Sequence, residues 1–347
     1  MTRPVEPWLA LDVGGANIKA AHTSGAVASV PFELWRRPGD IAGEVARVAS
    51  SFPPFVAVAL TMTAELCDCY PTKRDGVTAV LDAVEAGLPG VPVAVWGTDG
   101  RLRTADAVRS DPLPAAAANW LALAAAAARL AGPGPGLLVD VGSTTTDLIP
   151  LAGGRPDARG RTDTDRLREG ELVYAGVRRT PVFALADRVP FRGRATGVAA
   201  ELFATTLDVF LTLGDVPEDP DDRATADGRP ATRDAARDRL ARVIGADREG
   251  FTAGDALQLS VSVREKLLAR LASAVETTGR TGAGRPTTVV VCGSGEFLAR
   301  QLASRVVAPG GTILSLTDAW GPGASVAACA KALLAIATEA GAACVGR

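Results

Sequence analysis

The chain has 347 residues, 47% hydrophobic and 22% charged, an ordinary globular composition with enough length for two cores. Its 37 basic and 39 acidic residues give a formal net charge of −2, and the basic ones are scattered, so no electrostatic footprint for nucleic acid stands out. A single histidine, His22, all but excludes Ser-His-Asp catalysis and histidine-rich metal centres, leaving carboxylates, Lys, Arg, hydroxyls and backbone amides.

Apolar runs separated by turn residues predict strands at 8–13, 17–23 and 27–35, a helix over 40–51 and a strand at 55–61. A helix follows from Lys73 to about Glu85, with Thr72 as its N-cap and Asp75 completing a capping box. VPVAVW at 91–96 reads as a strand, and the Ala-rich stretch 115–131, interrupted by Asn119 and Arg129, reads as a buried helix. AGPGPG at 131–136 is a linker. The second half opens with strands at 137–141 and 146–151, and closes with TTVVVCGSGEF, a helix through Arg305, GTILSL and a helix from Ser325 to Glu339, in βαβα order. Between them an insert over 155–285 carries the acidic loop EDPDDRATADGRP at 218–230, expected in solvent with helices on either side.

No N-terminal apolar leader and no 18-residue apolar span is visible, so the expectation is a cytosolic protein off the membrane. Five cysteines, an odd number, do not make a disulfide framework. Cys67 and Cys69 lack the second pair that a zinc site needs and are expected as reduced turn or buried thiols. His22, at a strand end, reads as a structural residue.

Two stretches repeat one pattern. In WLALDVGGANIKAA (8–21) and GLLVDVGSTTTDLIP (136–150), Asp12, Val13 and Gly14 match Asp140, Val141 and Gly142. Each reads strand, tight turn, strand, and such a turn frees backbone N–H groups to cradle an anion. Gly and Thr also serve ordinary hairpins, but two such turns at equivalent places favour anion binding.

Two halves that each begin this way, with the Gly-rich strand-to-helix turn CGSGEF at 292–297, resemble the sugar kinase, heat-shock ATPase and actin superfamily. The resemblance implies an α/β fold of duplicated actin-like ATPase (ribonuclease H-like) domains flanking a cleft, with an insertion in the second half. The expected domains are 1–132 and 137–347, the latter including the insert. It also implies a first phosphate loop at Gly14, Gly15 and Asn17 and a second at Gly142, Ser143, Thr144 and Thr145. Asp12, Asp140 and Asp147 would face a metal, Mg²⁺, and Gly293, Ser294 and Gly295 a nucleoside or substrate.

Longer segments narrow the resemblance: TMTAELCDCYPTKRDGV (61–77), VWGTDGRL (95–102), AANWLA (117–122) and GRTDTDRLREGELVYAGVRRTPV (160–182). In that order they resemble the hydantoinase-like (4-{4-[2-(γ-L-glutamylamino)ethyl]phenoxymethyl}furan-2-yl)methanamine synthase family of methanofuran biosynthesis. That implies a transferase: a 3-aminomethyl-furanmethyl diphosphate loses pyrophosphate, and a tyramine-type phenol captures the furfuryl carbon as an ether. Donors aimed at a departing diphosphate lower such a barrier directly.

A phenol, with a pKa of about 10, benefits from a general base, and without a suitable histidine the candidates are Glu65 and Asp68, in the turn after the strand at 55–61. Turn capping would explain either residue equally well. Lys73 and Arg74 open a helix, where the macrodipole disfavours cations and an anionic ligand would explain them. Only four of the 37 basic residues are lysine, and Lys19, on the first hairpin, is placed to reach a phosphate. Arg161, Asp163 and Arg166, with Arg178 and Arg179, are candidates to clamp diphosphate or an acceptor carboxylate, against salt bridges among themselves. An ATP-dependent kinase or ATPase of the same fold, or a non-catalytic nucleotide-binding protein, remains the alternative, and homo-oligomerisation stays open.

Overall fold

The computed structural model describes residues 6–279 and 284–341. The first sheet contains β1 (Trp8–Val13), β2 (Asn17–His22), β3 (Val27–Pro31), β4 (Ala57–Met62), β5 (Val93–Trp96) and β6 (Leu102–Thr104), ordered β3-β2-β1-β4-β5-β6. β1, β2 and β3 form an antiparallel meander, while β4 and β5 join in parallel. Every residue of β1, β4 and β5 is buried, as expected for strands covered on both faces.

The helices of this part are α1 (Ile41–Ser50), α2 (Lys73–Gly87), α3 (Ala105–Ser110) and α4 (Asn119–Ala131). α1 buries Ile41, Val45, Val48 and Ala49, a stripe at helical spacing. α2 is capped as the sequence predicts: the Thr72 hydroxyl accepts from the Asp75 N–H at 3.2 Å. α4 starts at Asn119 rather than near residue 115 because Ala117 sits at φ 47°, a left-handed conformation that stops the helix from extending backwards.

Continuing along the chain come β7 (Gly136–Val141), β8 (Thr146–Ala152), β9 (Arg155–Pro156), α5 (Asp163–Glu169), β10 (Leu172–Val173), β11 (Arg188–Phe191), β12 (Arg194–Gly197), α6 (Thr206–Leu213), α7 (Arg233–Val243), α8 (Ala253–Thr278), β13 (Thr288–Cys292), α9 (Glu296–Val306) and β14 (Thr312–Ser315). The short α10 (Leu316–Trp320) and α11 (Pro322–Val326) lead into α12 (Ala328–Ala340). The second sheet runs β10-β8-β7-β13-β14, with β9 on β8. With β10 as its third main strand, this sheet shares the third-second-first-fourth-fifth order of β3-β2-β1-β4-β5, so the duplication is one of topology.

The chain divides into two compact units: Met1–Gly136 with Ile149–Arg168 and Leu314–Arg347, and Leu137–Leu148 with Glu169–Ile313. This differs from the contiguous division at 132 and 137. The reason is packing: α12 lies against β1, β2, β4 and α4, and β9 lies against α4, so late segments complete the first core. The insert is likewise not one body, since α5 up to Arg168 belongs to the first unit. α6 and α7 flank the acidic loop as expected. Beneath that loop, in the second unit, Arg239 Nε meets Asp208 Oδ1 at 2.7 Å with both side chains buried. The same guanidinium reaches Asp227 Oδ1 at 3.0 Å, tying the loop to the core.

Candidate active site

The first hairpin closes with the Gly14 N–H donating to the Asn17 carbonyl at 2.9 Å. In the second unit the Gly142 N–H donates to the Thr145 carbonyl at 2.8 Å, the same bond at the matching position. Both turns are therefore of one construction, with remaining amides on a tight loop. Side chains are barred at Gly15, where a Cβ would lie 2.7 Å from Cys67 Sγ.

Asp12 ends β1 only 4% exposed, opposite Lys19 in β2 and Thr61 in β4. Burial raises its pKa, while the Lys19 charge and the Asn119 side chain, whose Nδ2 donates to Oδ1 at 3.5 Å, oppose that rise. Asp12 and Thr61 thus sit near the carboxyl ends of neighbouring parallel strands, where open α/β sheets place ligands.

The next turn, Ala64–Leu66, distinguishes the two candidate bases. Asp68 is exposed, whereas Glu65 is 1% exposed, with both carboxyl oxygens buried and without a hydrogen-bond partner. Burial, aided by the nearby Asp163 charge, pushes its pKa up to about 8; the backbone amides of Glu65 itself and Ala117, near the carboxyl but outside hydrogen-bonding geometry, and the charge of Lys73 pull the other way. The turn is pinned by Gly76 of α2, where a Cβ would lie 2.6 Å from Glu65 Cα and from its carbonyl oxygen.

Three of the sequence motifs converge here within the first unit. Arg166 of α5, 2% exposed, lays its guanidinium carbon 4.2 Å from the Trp120 ring centroid and pairs with Asp163 at 3.6 Å. Trp120 and Asn119 open α4, so one segment bears on both Asp12 and Arg166. The Thr61 hydroxyl and the Trp96 and Trp120 indole N–H groups are also buried without hydrogen-bond partners. Buried polar groups without partners, gathered in this way, mark a candidate ligand site. Arg161, exposed, donates to the Thr98 carbonyl at 3.2 Å, and Lys73 opens α2.

In the second unit, residues 142–145 are half-buried and braced from behind. The amides of Val177, Arg178 and Arg179 donate to the carbonyls of Gly142 and Ser143, and a Cβ on Gly176 would lie 2.6 Å from the Thr144 nitrogen. The segment ELVYAGVRRT therefore supports the loop with its backbone, and Arg178 is engaged with Asp222. Thr146 is buried, its hydroxyl donating to the Ala175 carbonyl at 2.7 Å, as strand alternation predicts. Gly293, at φ 92°, lies against Asp140, where a Cβ would be 2.3 Å from Oδ1. The Gly295 N–H donates to the Val141 carbonyl at 2.8 Å, Ser294 is exposed, and Asp147 pairs across to Leu172.

Among the described residues no three His, Cys, Asp or Glu side chains gather to hold an ion; Asp12 belongs to the first unit, Asp140 and Asp147 to the second. In the first unit the Asp12 carboxylate meets the Asn119 amide and the Lys19 charge. Mg²⁺ often binds through one or two carboxylates plus substrate phosphates, so a site for it does not require three protein ligands. Sequence reasoning gave no role to Asn119, Trp120 or Thr61; a Trp and an Arg in two polar motifs were the available signal. The four described cysteines, Cys67, Cys69, Cys292 and Cys329, are not in disulfides.

The Hydantoinase/oxoprolinase family profile matches residues 57–320. The (4-{4-[2-(gamma-L-glutamylamino)ethyl]phenoxymethyl}furan-2-yl)methanamine synthase of Methanocaldococcus jannaschii is 33% identical over 322 residues, covering 92% of this chain and 94% of that one. The chain belongs to this synthase family. The Methanococcus vannielii synthase of the same name is 30% identical over 192 residues, 55% of this chain and 85% of that one. Among solved structures, nucleotide-free acetone carboxylase aligns over 95% of this chain and 70% of its own, with a TM-score of 0.51 at 12% identity. With the repeated strand order, the fold is the duplicated actin-like ATPase architecture that the family resemblance implied. No helix among the described residues is long and apolar enough to cross a membrane.

Proposed function

We propose that this chain forms the aryl furfuryl ether of methanofuran, joining a 3-aminomethyl-furanmethyl diphosphate to a tyramine-type phenol with release of pyrophosphate. Membership of the synthase family supports the overall reaction. The observation that carries the mechanism is Glu65, a buried carboxyl with no hydrogen-bond partner and a pKa of about 8. A base of that strength lies between water and the phenol, near the operating pH, where proton transfer is most effective. Glu65 in its ionised form takes the phenol proton as the phenol oxygen bonds to the furfuryl carbon. The carbon–oxygen bond to diphosphate breaks, and its electron pair leaves on the pyrophosphate.

The Gly14–Asn17 turn and Lys19, and in the second unit the Gly142–Thr145 turn, are the candidate anion binders, each offering donors that gain strength as negative charge develops. Asp12 in the first unit, and Asp140 and Asp147 in the second, are the candidate carboxylates for Mg²⁺, which would supply neutralisation of the diphosphate charge. Lys73 and Asp163 act on Glu65 through their charges, one holding its pKa down and the other holding it up.

Purified protein with Mg²⁺, synthetic furanmethyl diphosphate and a panel of phenols, with ATP rigorously absent, should release pyrophosphate one-for-one with ether, read by mass spectrometry. Ether that forms only with ATP, or ADP in place of pyrophosphate, would replace this reading with the kinase alternative.

A further inference from the structure

The chain's one histidine and one of its four lysines line a cavity that the chemistry above does not use. The cavity, about 730 Å³, belongs wholly to the first unit, between the end of β2, the Pro53–Pro54 turn, α4 and α12. His22 pairs with Leu9, at the opposite end of the β1–β2 hairpin from the Gly14–Gly15 turn. At about 3.3 Å per strand residue, the two places are on the order of 15 Å apart.

His22 is 4% exposed. Its Nδ1 accepts the Ser24 backbone N–H at 3.0 Å, which puts the proton of the neutral ring on Nε2. That Nε2 is buried and has no partner. Lys331 of α12 is half-buried, its Nζ 5.2 Å from the Trp320 ring centroid and 3.5 Å from the Trp320 carbonyl. Among the described residues no Asp or Glu lines the cavity, so none of them offsets the ammonium charge in its wall. Burial depresses the Lys331 pKa accordingly. The remaining wall is mostly apolar, with Thr23, Ser24 and Thr338 as the hydroxyls. Volume, apolar lining and a few convergent polar groups are the attributes of a small-molecule site.

We propose that this cavity binds a small organic anion with an apolar or aromatic body, its carboxylate paired with the Lys331 ammonium and its body against Trp320. An ammonium over an indole face and beside a carbonyl still lacks a counter-charge. The inference is independent of the ether-forming reading.

Calorimetric titration with 3-phenylpropionate, 3-phenylpropionamide, 3-phenylpropylamine and inorganic phosphate tests it on the full chain. 3-Phenylpropionate should bind saturably at one site, with the amide about tenfold or more weaker, as loss of a charge-assisted contact predicts. The amine and phosphate should bind more weakly still. Lys331→Met should weaken 3-phenylpropionate binding about tenfold or more. Ala335→Trp, at the exposed rim, should block it with the lysine intact, thermal denaturation confirming that both variants fold. No saturable binding of 3-phenylpropionate up to about 10 mM, well past the millimolar range of weak ligands, would overturn the proposal. So would unchanged affinity in both variants, or amine or phosphate binding as tightly as the carboxylate.

Discussion

Replacing Glu65 with glutamine should make the protein more stable at neutral pH and less stable in acid. In the unfolded chain this carboxyl ionises at its ordinary value of 4.5, but in the folded protein it holds its proton to about 8. Between those values the folded state binds a proton that the unfolded state has released, so stability falls as pH rises through that window. Each pH unit is worth about 1.4 kcal/mol, so by pH 7 the wild-type carboxyl costs up to about 3.4 kcal/mol and the loss levels off above about 8. Glutamine does not titrate, but its buried amide N–H groups would lack acceptors, at about 1–3 kcal/mol. Glu65→Gln should therefore lose to wild type near pH 4.5 and overtake it between about pH 5 and 7. Thermal denaturation of both proteins across that range, at constant ionic strength, reads the difference. A stability difference that is flat with pH would refute the burial argument and, with it, Glu65 as the tuned base.

The acid limb of kcat/KM should have an apparent pKa of about 8, and Lys73→Met should move it up while Asp163→Asn moves it down; parallel shifts would mean the limb belongs to another group. Gly76→Ala drives a methyl into the Glu65 backbone and should cost about 1–3 kcal/mol, with turnover falling about 10²-fold as the turn shifts. Wild-type thermal stability and turnover in that variant would show that the turn is not pinned there. In the second unit, Arg239→Met leaves Asp208 buried without its partner and should cost about 3–5 kcal/mol by denaturation; a loss below about 1 kcal/mol would mean Asp227 and the loop carry no load through this pair.

The repeated Asp-Val-Gly was legible because its cause is local: apolar runs and glycines specify strand, turn and strand without tertiary help. The Thr72 cap and the inward face of Thr146 followed for the same reason, from spacing alone. Choosing Glu65 over Asp68 was beyond the sequence, since both flank one turn and the choice depends on how closely α2 approaches at Gly76. The start of α4 was misjudged because alanine's helix propensity predicts nothing of the left-handed Ala117. The Arg166–Trp120 stack joins two motifs through space. The partners of α12 were hidden too, because an apolar stripe announces that a helix is covered but not which sheet it covers.

Because the first unit is completed by α12, its sheet cannot be finished when its strands are made. β1 to β6 leave the ribosome early, yet the helix that lies on β1, β2 and β4 follows only after the chain has passed through the second unit and returned at Leu314. For most of its synthesis the nascent protein carries a bare apolar sheet face, the kind of surface that chaperones bind and that aggregates otherwise. Contacts this distant in sequence also slow closure, since the intervening chain must be ordered before they form. A message truncated just before residue 314 would thus yield neither a free first unit nor a harmless fragment, but a half-clad sheet held out to its neighbours.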